Sequence, residues 1–316
     1  MRCPTLSELP DPPRGKKGWP WTEETLQLPE TMPGGQPWPR VSIVTPSYNQ
    51  GRFIEETIRS VLLQGYPELE YIIIDGGSAD NSVEIIKKYE KWLAYWVSEP
   101  DRGQSHAINK GFDKASREIY AWLNSDDYLL KDALKNVALA YNAHPEAGGW
   151  FGGCLQVSIV GKTLLTVHPN RLDAEGLAVW GENAVTQPSC FFSRVAWQNC
   201  GPLDESLNYA MDLDLWVKIA KTYSIRKVEA ILAAAVVQEN AKTQRNIGMM
   251  YAEQDIVKVR HGYESYAIQD IAQWVNRYVE SQRKIYRLQK PISWIIRFPL
   301  LRPIRPIARI VWRKLF

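Results

Sequence analysis

The sequence is poor in the residues that mark zinc sites and disulfide-rich proteins. It has four cysteines in 316 residues, at positions 3, 154, 190 and 200, and no two of them form a Cys-x-x-Cys pair. The four histidines show no metal-ligand spacing either. These absences argue against a cysteine-based metal module and a disulfide framework, and they predict reduced thiols.

Long apolar runs and two common nucleotide-binding motifs are also missing. No stretch of about 18 uncharged apolar residues is present to span a bilayer, and no basic segment followed by an apolar run marks a secretory signal. Neither Gly-x-Gly-x-x-Gly nor Gly-x-x-x-x-Gly-Lys occurs, which argues against dinucleotide-binding and P-loop folds. The sequence therefore predicts a cytoplasmic protein of another class.

Acidic residues are missing from the C-terminal part of the chain. Residues 281–316 contain ten Lys or Arg and no Asp or Glu, which leaves residues 1–280 with a net charge of −7. An acidic body argues against a nucleic-acid partner. The basic tail, in which apolar residues interleave with arginines, favours an anionic membrane surface, with packing on the domain or on a partner subunit as the alternative.

Composition and hydrophobic period divide the chain into four parts. Residues 1–39 hold nine of the 20 prolines and predict an arm that is either disordered or draped over the fold. Residues 40–240 alternate short apolar runs with amphipathic helices, which predicts an α/β domain with a parallel, doubly wound sheet. Residues 241–290 are predicted as helical, and residues 291–316 form the basic amphipathic tail.

Two local patterns predict element boundaries within the domain. The first strand is predicted over Val41 to Thr45, ended by Pro46. Asn81, with Glu84 three residues later, predicts a capping box at the start of the second helix.

Polar clusters follow four of the predicted strands. They are Thr45 to Asn49, Asp75 to Ser78, Glu99 to Arg102 and Asn124 to Asp127. Each cluster alone is typical of a turn, because Asn, Asp, Gly and Ser are the residues that turns use. In a parallel sheet, however, ligands bind outside the carboxyl ends of the strands. Four clusters at one edge therefore predict a nucleotide site.

The fourth cluster ends in two adjacent carboxylates, Asp126 and Asp127. Carboxylate oxygens are the ligands that Mg²⁺ and Mn²⁺ prefer, and Mg²⁺ in particular keeps open positions for substrate phosphates. The pair therefore predicts a divalent cation that holds a diphosphate on an exposed rim of the sheet. The alternative is that these residues only cap the helix predicted over residues 131–144.

Taken in order, these motifs resemble glycosyltransferase family 2, the inverting sugar transferases with the GT-A fold. The resemblance covers roughly residues 40–240, and it is carried by Val41 to Asn49, Asp75 to Asn81, Ser98 to Gly111, Asn124 to Asp127 and Met211 to Trp216. It implies an α/β fold of GT-A type, with a mainly parallel doubly wound sheet, a mixed acceptor-side half and C-terminal helices.

The chain departs from the family pattern at three positions. Many members carry a second aspartate after strand two, which reads the nucleobase, where this chain has Gly76. Met211 replaces the glutamate of the late Glu-Asp motif, and Asn124 replaces the first aspartate of the metal-binding DxD region. The identity of the base is therefore open, and Asp126, Asp127 and the diphosphate must meet most of the metal's charge.

The resemblance implies catalytic roles for three carboxylates. Asp127 is the expected direct ligand of Mn²⁺ or Mg²⁺, and Asp126 is expected to contact the metal or the ribose. Asp212 is the expected catalytic base, with Asp214 as the lesser alternative. The competing interpretation of Asp212 is that it caps the helix predicted over residues 213–220.

Other side chains are expected to bind the donor nucleotide. Thr45 and Tyr48 are placed beside the base, and Asp75 at the base or the ribose. Arg102 and Lys110 are placed near the diphosphate. The alternatives are strand-end packing for the first two, turn chemistry for Asp75 and solvated surface charge for the two cations.

The acceptor is expected to lie against a wall of aromatic and amide side chains, because aromatic faces suit sugar rings. The residues assigned to this wall are Trp180, Gln187, Trp197 and Tyr209. Core packing is the alternative for each of them.

The sequence thus predicts a metal-dependent enzyme that moves one sugar from a nucleoside diphosphate sugar to a hydroxyl acceptor. The resemblance implies assembly of a bacterial cell-surface glycan, such as lipopolysaccharide, capsule or exopolysaccharide. It also implies a glycan or lipid-linked acceptor at the inner face of the plasma membrane, where the enzyme would be peripheral.

Three other kinds of protein fit the sequence less well. A sugar-phosphate nucleotidyltransferase should show a glycine-rich loop with Arg after strand one, and a non-catalytic nucleotide-sugar-binding protein would not need the carboxylates. A processive synthase is disfavoured because membrane spans and a Gln-x-x-Arg-Trp motif are absent.

Overall fold

The computed structural model describes residues 2–179, 185–238 and 245–297, with side chains through residue 286. The chain forms two compact units, residues 1–261 and residues 262–316. The α/β sheet predicted from the sequence lies in the first unit.

The first half of this unit is parallel, with a helix between successive strands. Strands β1, β2 and β4 are buried at every residue, as expected for apolar runs that helices cover on both faces. The elements are β1 (Val41–Ser47), α1 (Ile54–Leu62), β2 (Leu69–Asp75), α2 (Ser82–Tyr89), β3 (Tyr95–Ser98), α3 (Gln104–Phe112) and β4 (Ile119–Trp122).

The second half contributes longer strands and the remaining helices of the unit. Its elements are β5 (Tyr128–Leu129), α4 (Ala133–Ala143), β6 (Gly149–Ser158), β7 (Thr163–Val167), α5 (Ala174–Val179), β8 (Cys190–Ser193), α6 (Arg194–Cys200), α7 (Met211–Thr222), β9 (Ile225–Val237) and α8 (Ile247–Arg260).

All these strands join one mixed sheet that curls on itself. Its order is β3-β2-β1-β4-β8-β6-β9-β5, with β7 beside β6. β8 is antiparallel to β4 and to β6, whereas β6 and β9 are parallel. β5 follows β4 after only five residues, yet it pairs with β9 at the far end of the sheet. Those five residues include the acidic cluster, which therefore lies where the curl brings β4 and β9 together.

The first strand continues through Pro46, so the predicted end at this residue is wrong. Pairing of β1 with β4 stops at Val44 and Trp122, whereas pairing with β2 continues to Ser47 and Asp75. Beyond Val44, β1 thus has a ladder partner on one side only. A proline, which lacks an N–H, is tolerated at such an edge position.

The predicted capping box at Asn81 does not form. Asn81 precedes α2, but its side chain makes no capping bond. Instead, Oδ1 of Asp80 accepts hydrogen bonds from the backbone N–H of Ser82 at 3.0 Å and from the Ser82 hydroxyl. The Asp80 carboxylate therefore accepts the first N–H of α2, the role that the sequence pattern assigned to Asn81.

The proline-rich arm is draped over the first unit. A Cβ on Gly65, whose φ is +61°, would lie 2.4 Å from the carbonyl oxygen of Leu26, so the arm approaches the backbone closely there. The arm's buried apolar residues are Cys3, Leu9, Trp21, Leu28, Met32 and Trp38. Most of them pack in the main hydrophobic core, so the arm is part of the folded domain.

A fully buried guanidinium fixes the arm to α1. Arg59 donates to the carbonyl oxygens of Pro20 (3.1 Å), Pro10 (2.8 Å) and Trp21 (2.9 Å), and to the Tyr89 hydroxyl (3.2 Å). Pro20 and Trp21 lie in a turn, and none of the three carbonyls belongs to a strand. The planar fork of arginine can reach several of them at once.

The second unit contains α9 (Glu264–Arg297), a single helix of 34 residues. At 1.5 Å per residue it is about 50 Å long. Several of its large apolar side chains are exposed, among them Ile268, Ile271, Val275 and Tyr278. No helix within the described ranges is both long and apolar enough to cross a membrane. Beyond Arg297, the predicted tail lies outside the described residues.

The Arg59 contacts generate a stability prediction. Arg59→Lys keeps the charge but replaces a fork by a single ammonium, which leaves buried carbonyls unpaired. The free energy of unfolding should fall by roughly 2–4 kcal/mol. Urea denaturation measures it, and Arg14→Lys, an exposed position in the same arm, should change it by less than about 0.5 kcal/mol. Equal effects of the two substitutions would contradict the clamp.

Candidate active site

The predicted polar clusters lie at one edge of the sheet. β1, β2 and β3 end in register, since Ser47 pairs with Asp75 and Asp75 with Ser98. The N–H of Gly76 donates to the carbonyl of Ser47 (2.8 Å), and the N–H of Glu99 donates to the carbonyl of Asp75 (3.0 Å). β4 runs parallel to β1 on its other side, so the acidic loop shares this edge.

Asp127 is buried rather than exposed, which corrects the predicted rim position. It is 6% exposed, and its Oδ1 accepts the backbone N–H of Val236 at 3.0 Å. Its Oδ2 accepts from the Asn124 amide at 3.2 Å. The curl of the sheet explains the burial, because β9 covers the loop that ends β4. Asp126 is less buried, and its Oδ2 accepts from the Gln238 amide at 2.8 Å.

Both carboxylates are harder to ionise than an exposed aspartate. Burial and the neighbouring charge of Asp126 raise the pKa of Asp127 well above its usual range, and burial raises the pKa of Asp126. No Lys or Arg of the described chain forms an ion pair with either residue. Nor does a third His, Cys, Asp or Glu in those ranges complete a protein-only metal cluster. An oxygen-binding cation is the species that this donor pair would accept.

Neutral amides surround the carboxylates. Asn124 Oδ1 accepts from Gln104 at 2.7 Å, and its amide also donates to Gln187 Oε1 at 3.2 Å. Gln187 in turn donates to the carbonyl of Trp122 at 2.8 Å. Gln187, which the sequence placed in the acceptor wall, is thus engaged with the acidic loop. Whether it also touches acceptor stays a prediction.

Asp212 is not a helix cap. The N-cap of α7 is Ala210, and Asp212 Oδ1 accepts only the adjacent N–H of Leu213, at 2.8 Å, among the described contacts. Burial raises the pKa of Asp212 to about 6. A carboxylate with that pKa takes up a proton readily near neutral pH, as a general base must.

Asp214 has a structural role. It is buried, and it forms ion pairs with Lys218 (2.6 Å) and with His261 (2.9 Å). Burial raises the pKa of Asp214, but the bonds and charges of His261 and Lys218 outweigh this effect and leave the pKa below its usual range. With its charge neutralised by two partners, Asp214 is a poorer base than Asp212.

Aromatic packing joins the base helix to the strand of the acidic loop. Trp216 of α7 stacks on Trp122 of β4, with ring centroids 5.1 Å apart and planes inclined by 14°. Phe192 of β8 packs against both rings. Because all three side chains are buried, this contact holds α7 at a fixed distance from the end of β4.

Charges of the site raise the pKa values of two buried thiols, Cys154 and Cys190. Burial raises the pKa of Cys154 to about 12, and the charge of Asp127 adds to the effect. Burial also raises the pKa of Cys190, with further contributions from Asp212 and Cys154. Asp127 is thus near Cys154, and Asp212 is near Cys190.

Glu253, which the sequence did not single out, holds the loop before Asp212. This residue of α8 is 7% exposed. Its Oε2 accepts the backbone N–H groups of Asn208 (2.8 Å), Tyr209 (2.6 Å) and Ala210 (3.1 Å). The contact joins positions more than 40 residues apart, so no local sequence signal could reveal it. Glu253 fixes the entry into α7 and with it the position of Asp212.

Two residues predicted to bind the nucleotide are engaged inside the protein. Thr45 is fully buried and shares a 3.0 Å hydrogen bond with the Tyr71 hydroxyl. Asp75 is fully buried and accepts from Gly77 N, Ser78 N, Ser78 Oγ and Ser98 Oγ. Thr45 thus has a partner at the strand end and Asp75 holds the turn after β2, and their contact with a nucleotide stays a prediction.

Tyr48 remains available at the same edge. Its side chain is 62% exposed, so its ring or hydroxyl can meet a ligand. Just before it, Ser47 Oγ is buried and has no hydrogen-bond partner among the described residues. No sequence pattern distinguishes Ser47 from the other turn residues as a ligand-binding candidate. Its hydroxyl is identified only from the fold, in which it has no partner among the described residues.

The two predicted phosphate-binding cations are paired with carboxylates. Arg102 is 68% exposed and forms an ion pair with Glu205 at 2.8 Å, which joins the loop after β3 to the loop before α7. Lys110 pairs with Glu99. Both lie near the predicted edge, and their contact with a diphosphate stays a prediction.

The acceptor wall is only partly described. Trp197 is half-buried and packs on Phe112, with centroids 4.5 Å apart, and on Phe192. Its contact with an acceptor stays a prediction. Tyr209 is half-buried, and Glu253 holds its backbone. Trp180 lies outside the described residues.

Comparisons with known proteins place these features in a family. Residues 42–192 match the profile of Glycosyl transferase family 2. That stretch contains β1 to β4, the acidic loop and the strands through β8.

Curated relatives match parts of the chain. TuaG, a putative teichuronic acid biosynthesis glycosyltransferase of Bacillus subtilis, is 40% identical over 100 residues, or 31% of this chain and 40% of the relative. An uncharacterized glycosyltransferase of Mycobacterium tuberculosis is 41% identical over 28% of this chain and 34% of its own length. The chain thus spans less than half the length of these relatives. An uncharacterized glycosyltransferase of Rickettsia typhi is 25% identical over 67% of this chain and 68% of its own.

Solved structures match a larger share of the chain. S. aureus TarS in complex with UDP-GlcNAc matches with a TM-score of 0.58 and 18% identity, over 76% of this chain and 73% of TarS. The mannosyltransferase PcManGT from Pyrobaculum calidifontis, in complex with GDP-Man and Mn²⁺, matches with a TM-score of 0.54 and 19% identity, over 88% of this chain and 91% of its own. At such identities the likeness shows the fold, and it confirms the predicted GT-A architecture.

The ordered motifs, the curled mixed sheet and the profile match agree with one another. Residues 42–192, just under half of the chain, match the Glycosyl transferase family 2 domain.

Proposed function

We propose that the protein transfers a single sugar from a nucleoside diphosphate sugar to a hydroxyl acceptor, with inversion at the anomeric carbon. The observation that carries the proposal is the adjacent pair Asp126 and Asp127, which forms no ion pair with a Lys or Arg of the described chain. Asp212, in the first turn of α7, has a pKa of about 6. A leaving diphosphate and an attacking hydroxyl need one site each.

Asp126 and Asp127 are the residues that would hold Mn²⁺ or Mg²⁺. Among the described side chains only Gln238 donates to Asp126, so we assign Asp126 the more direct contact, whereas Val236 and Asn124 engage both oxygens of Asp127. A bound divalent cation supplies charge stabilisation for the departing diphosphate. With Asp126 and Asp127 as its protein ligands, such a cation would take its remaining ligands from the diphosphate and water.

Asp212 takes the proton from the acceptor hydroxyl. Burial raises its pKa toward neutrality, where a general base works best. Glu253 holds the loop before it, and the Trp122–Trp216 stack holds its helix. Since one base and one leaving-group site suffice, the acceptor attacks directly, which inverts the anomeric centre.

The acceptor and the cellular setting are proposed from the tail and the relatives. TuaG is named for teichuronic acid biosynthesis, and structures of neighbours contain UDP-GlcNAc or GDP-Man. We infer a bacterial cell-surface glycan or its lipid-linked precursor as acceptor. The basic residues of the tail would hold the enzyme at the anionic face of the plasma membrane.

The acidic pair generates the first functional prediction. Asp126→Asn keeps the shape but removes the charge, so Mn²⁺-dependent binding of nucleoside diphosphate and sugar transfer should fall on the order of 100-fold or more. Calorimetric titration in Mn²⁺ and in EDTA measures binding, and release of nucleoside diphosphate measures transfer.

Asp132→Asn is the matched control, because this acid lies just beyond β5 in a left-handed conformation that asparagine tolerates. It should bind and turn over as wild type does. An Asp126→Asn variant that binds donor normally in Mn²⁺ would overturn the metal assignment. Release of pyrophosphate from a nucleoside triphosphate and a sugar phosphate would instead support a nucleotidyltransferase.

Asp212 generates a pH prediction. A general base works when deprotonated, so kcat/KM should fall about tenfold per pH unit below pH about 6. Asp212→Asn should lower kcat by roughly 10²–10⁴ with donor affinity retained, and the acid limb should disappear. Near-normal turnover in this variant, or an unchanged acid limb, would assign the base elsewhere.

The tail generates a membrane prediction. Deleting residues 298–316 removes five basic residues and leaves α9 whole. Co-sedimentation with anionic liposomes at low salt should be lost, while hydrolysis of donor sugar persists. A full-length variant with these five residues changed to Gln separates charge from length and should also dissociate. Equal sedimentation of full-length and truncated protein would refute the anchoring role.

A further inference from the structure

The space beside Gly76 is filled by a side chain from another loop. An ideal Cβ on Gly76 would lie 2.7 Å from Oδ2 of Asp101 and 3.1 Å from its Cγ. Real Cβ atoms do not make contacts that short, so a side chain at position 76 requires the Asp101 carboxylate to move from its place. Gly76 follows β2, whereas Asp101 follows β3.

The backbone does not require glycine at position 76. Gly77, the next residue, has a φ of +81°, but Gly76 is not among the positive-φ residues. An L side chain would therefore cause no strain in the backbone itself. The constraint on position 76 is the volume that Asp101 occupies.

Within the described residues, one of the two carboxylate oxygens of Asp101 accepts a hydrogen bond and the other does not. Its Oδ1 accepts the backbone N–H of Gly103 at 2.8 Å, which fixes the loop before α3. Its Oδ2 receives no hydrogen bond from the residues that the structure describes, and the side chain is half-buried. A carboxylate oxygen placed this way is an acceptor for a ligand.

The other acids in the loops after β2 and β3 are already engaged. Four protein donors saturate Asp75, Asp80 accepts from Gly51 and Ser82, and Glu99 pairs with Lys110. The N–H of Gly76 is bonded to the carbonyl of Ser47, directly before the exposed Tyr48. Asp101 thus presents its free oxygen at the carboxyl end of β1 and β2, where α/β sheets bind nucleotides.

We propose that Asp101 accepts a hydrogen bond from the nucleoside of the donor and thereby selects it, with its carboxylate standing where a side chain at position 76 would otherwise project. This inference rests on the proposed function. The chemistry recognised is an N–H or O–H donor on the nucleoside, which is the imide N–H of uracil, the N1–H of guanine or a ribose hydroxyl. The ring nitrogens at the corresponding positions of cytosine and adenine carry lone pairs, which a carboxylate repels.

The test is calorimetric titration of the full chain in excess Mn²⁺ with UDP, GDP, CDP, ADP and pyrophosphate. Asp101→Asn retains an oxygen for Gly103 but turns an amide toward the ligand. Affinity for the tightest nucleoside diphosphate should fall about 10- to 100-fold, the cost of a lost hydrogen bond to a charged group. Affinity for pyrophosphate, which has no nucleoside, should not change. Asp113→Asn, an exposed acid at the end of α3, is the matched control and should behave as wild type in both titrations.

A relocation experiment separates recognition from loop structure. Gly76→Asp alone crowds two carboxylates and should weaken nucleotide binding. Combining Gly76→Asp with Asp101→Gly returns one carboxylate to the same space from the other loop and should recover at least about tenfold over Asp101→Gly alone. Loss of binding to an N-methylated base but not to the 2′-deoxy or 3′-deoxy form of the same nucleotide assigns the contact to the base. The opposite pattern assigns it to the ribose.

Two results overturn the inference. One is equal nucleotide affinity in wild type and Asp101→Asn, and the other is a double variant no better than Asp101→Gly. In both cases a wild type that binds nucleoside diphosphate leaves the proposed function standing. A wild type that binds none in Mn²⁺ would fail the proposed function itself.

Discussion

The hydrogen bond from the N–H of Val236 to Asp127 holds the two halves of the sheet together at the site. β4 and β9 are far apart in the strand order, and the five residues after β4 cross between them. The bond is possible only because the sheet curls, and the curl in turn buries Asp127 and brings β8 and α7 against β4. The acidic loop, the base helix and the aromatic contacts between them are consequences of this one closure.

Burial of the site carboxylates lowers the free energy of unfolding near neutral pH. Asp126, Asp127 and Asp212 all have pKa values raised by desolvation. A carboxylate whose folded pKa exceeds its unfolded value near 4 favours the folded state when protonated, so this stabilisation is complete below pH about 4. For Asp212 it is lost as pH rises through about 6. Near neutral pH the domain therefore keeps charges that a ligand, rather than the protein, can balance.

Local sequence patterns predicted the strands, the helices and the edge at which they end, because burial period and turn chemistry are local. They did not predict which polar groups would remain free. The sequence predicts that Thr45 and Asp75 bind a ligand. In the fold, Thr45 shares a hydrogen bond with Tyr71, and Asp75 accepts hydrogen bonds from the turn after β2. Asp127 was expected at an exposed rim, and β9, more than 100 residues later, covers it. Glu253 and Arg59 were missed because their partners lie on distant segments. What the sequence could not supply was the long-range pairing of donors with acceptors.

The Glu253 contact defines which parts of the protein must be inherited together. The family match ends at residue 192, but the loop that carries Asp212 is held by a carboxylate on α8, beyond β9. A chimera that joins this N-terminal half to the acceptor half of a relative would have to take residues 208–260 as one block. Sequence drift in α8 is then constrained by the backbone of the base loop, although α8 itself bears no residue of the reaction.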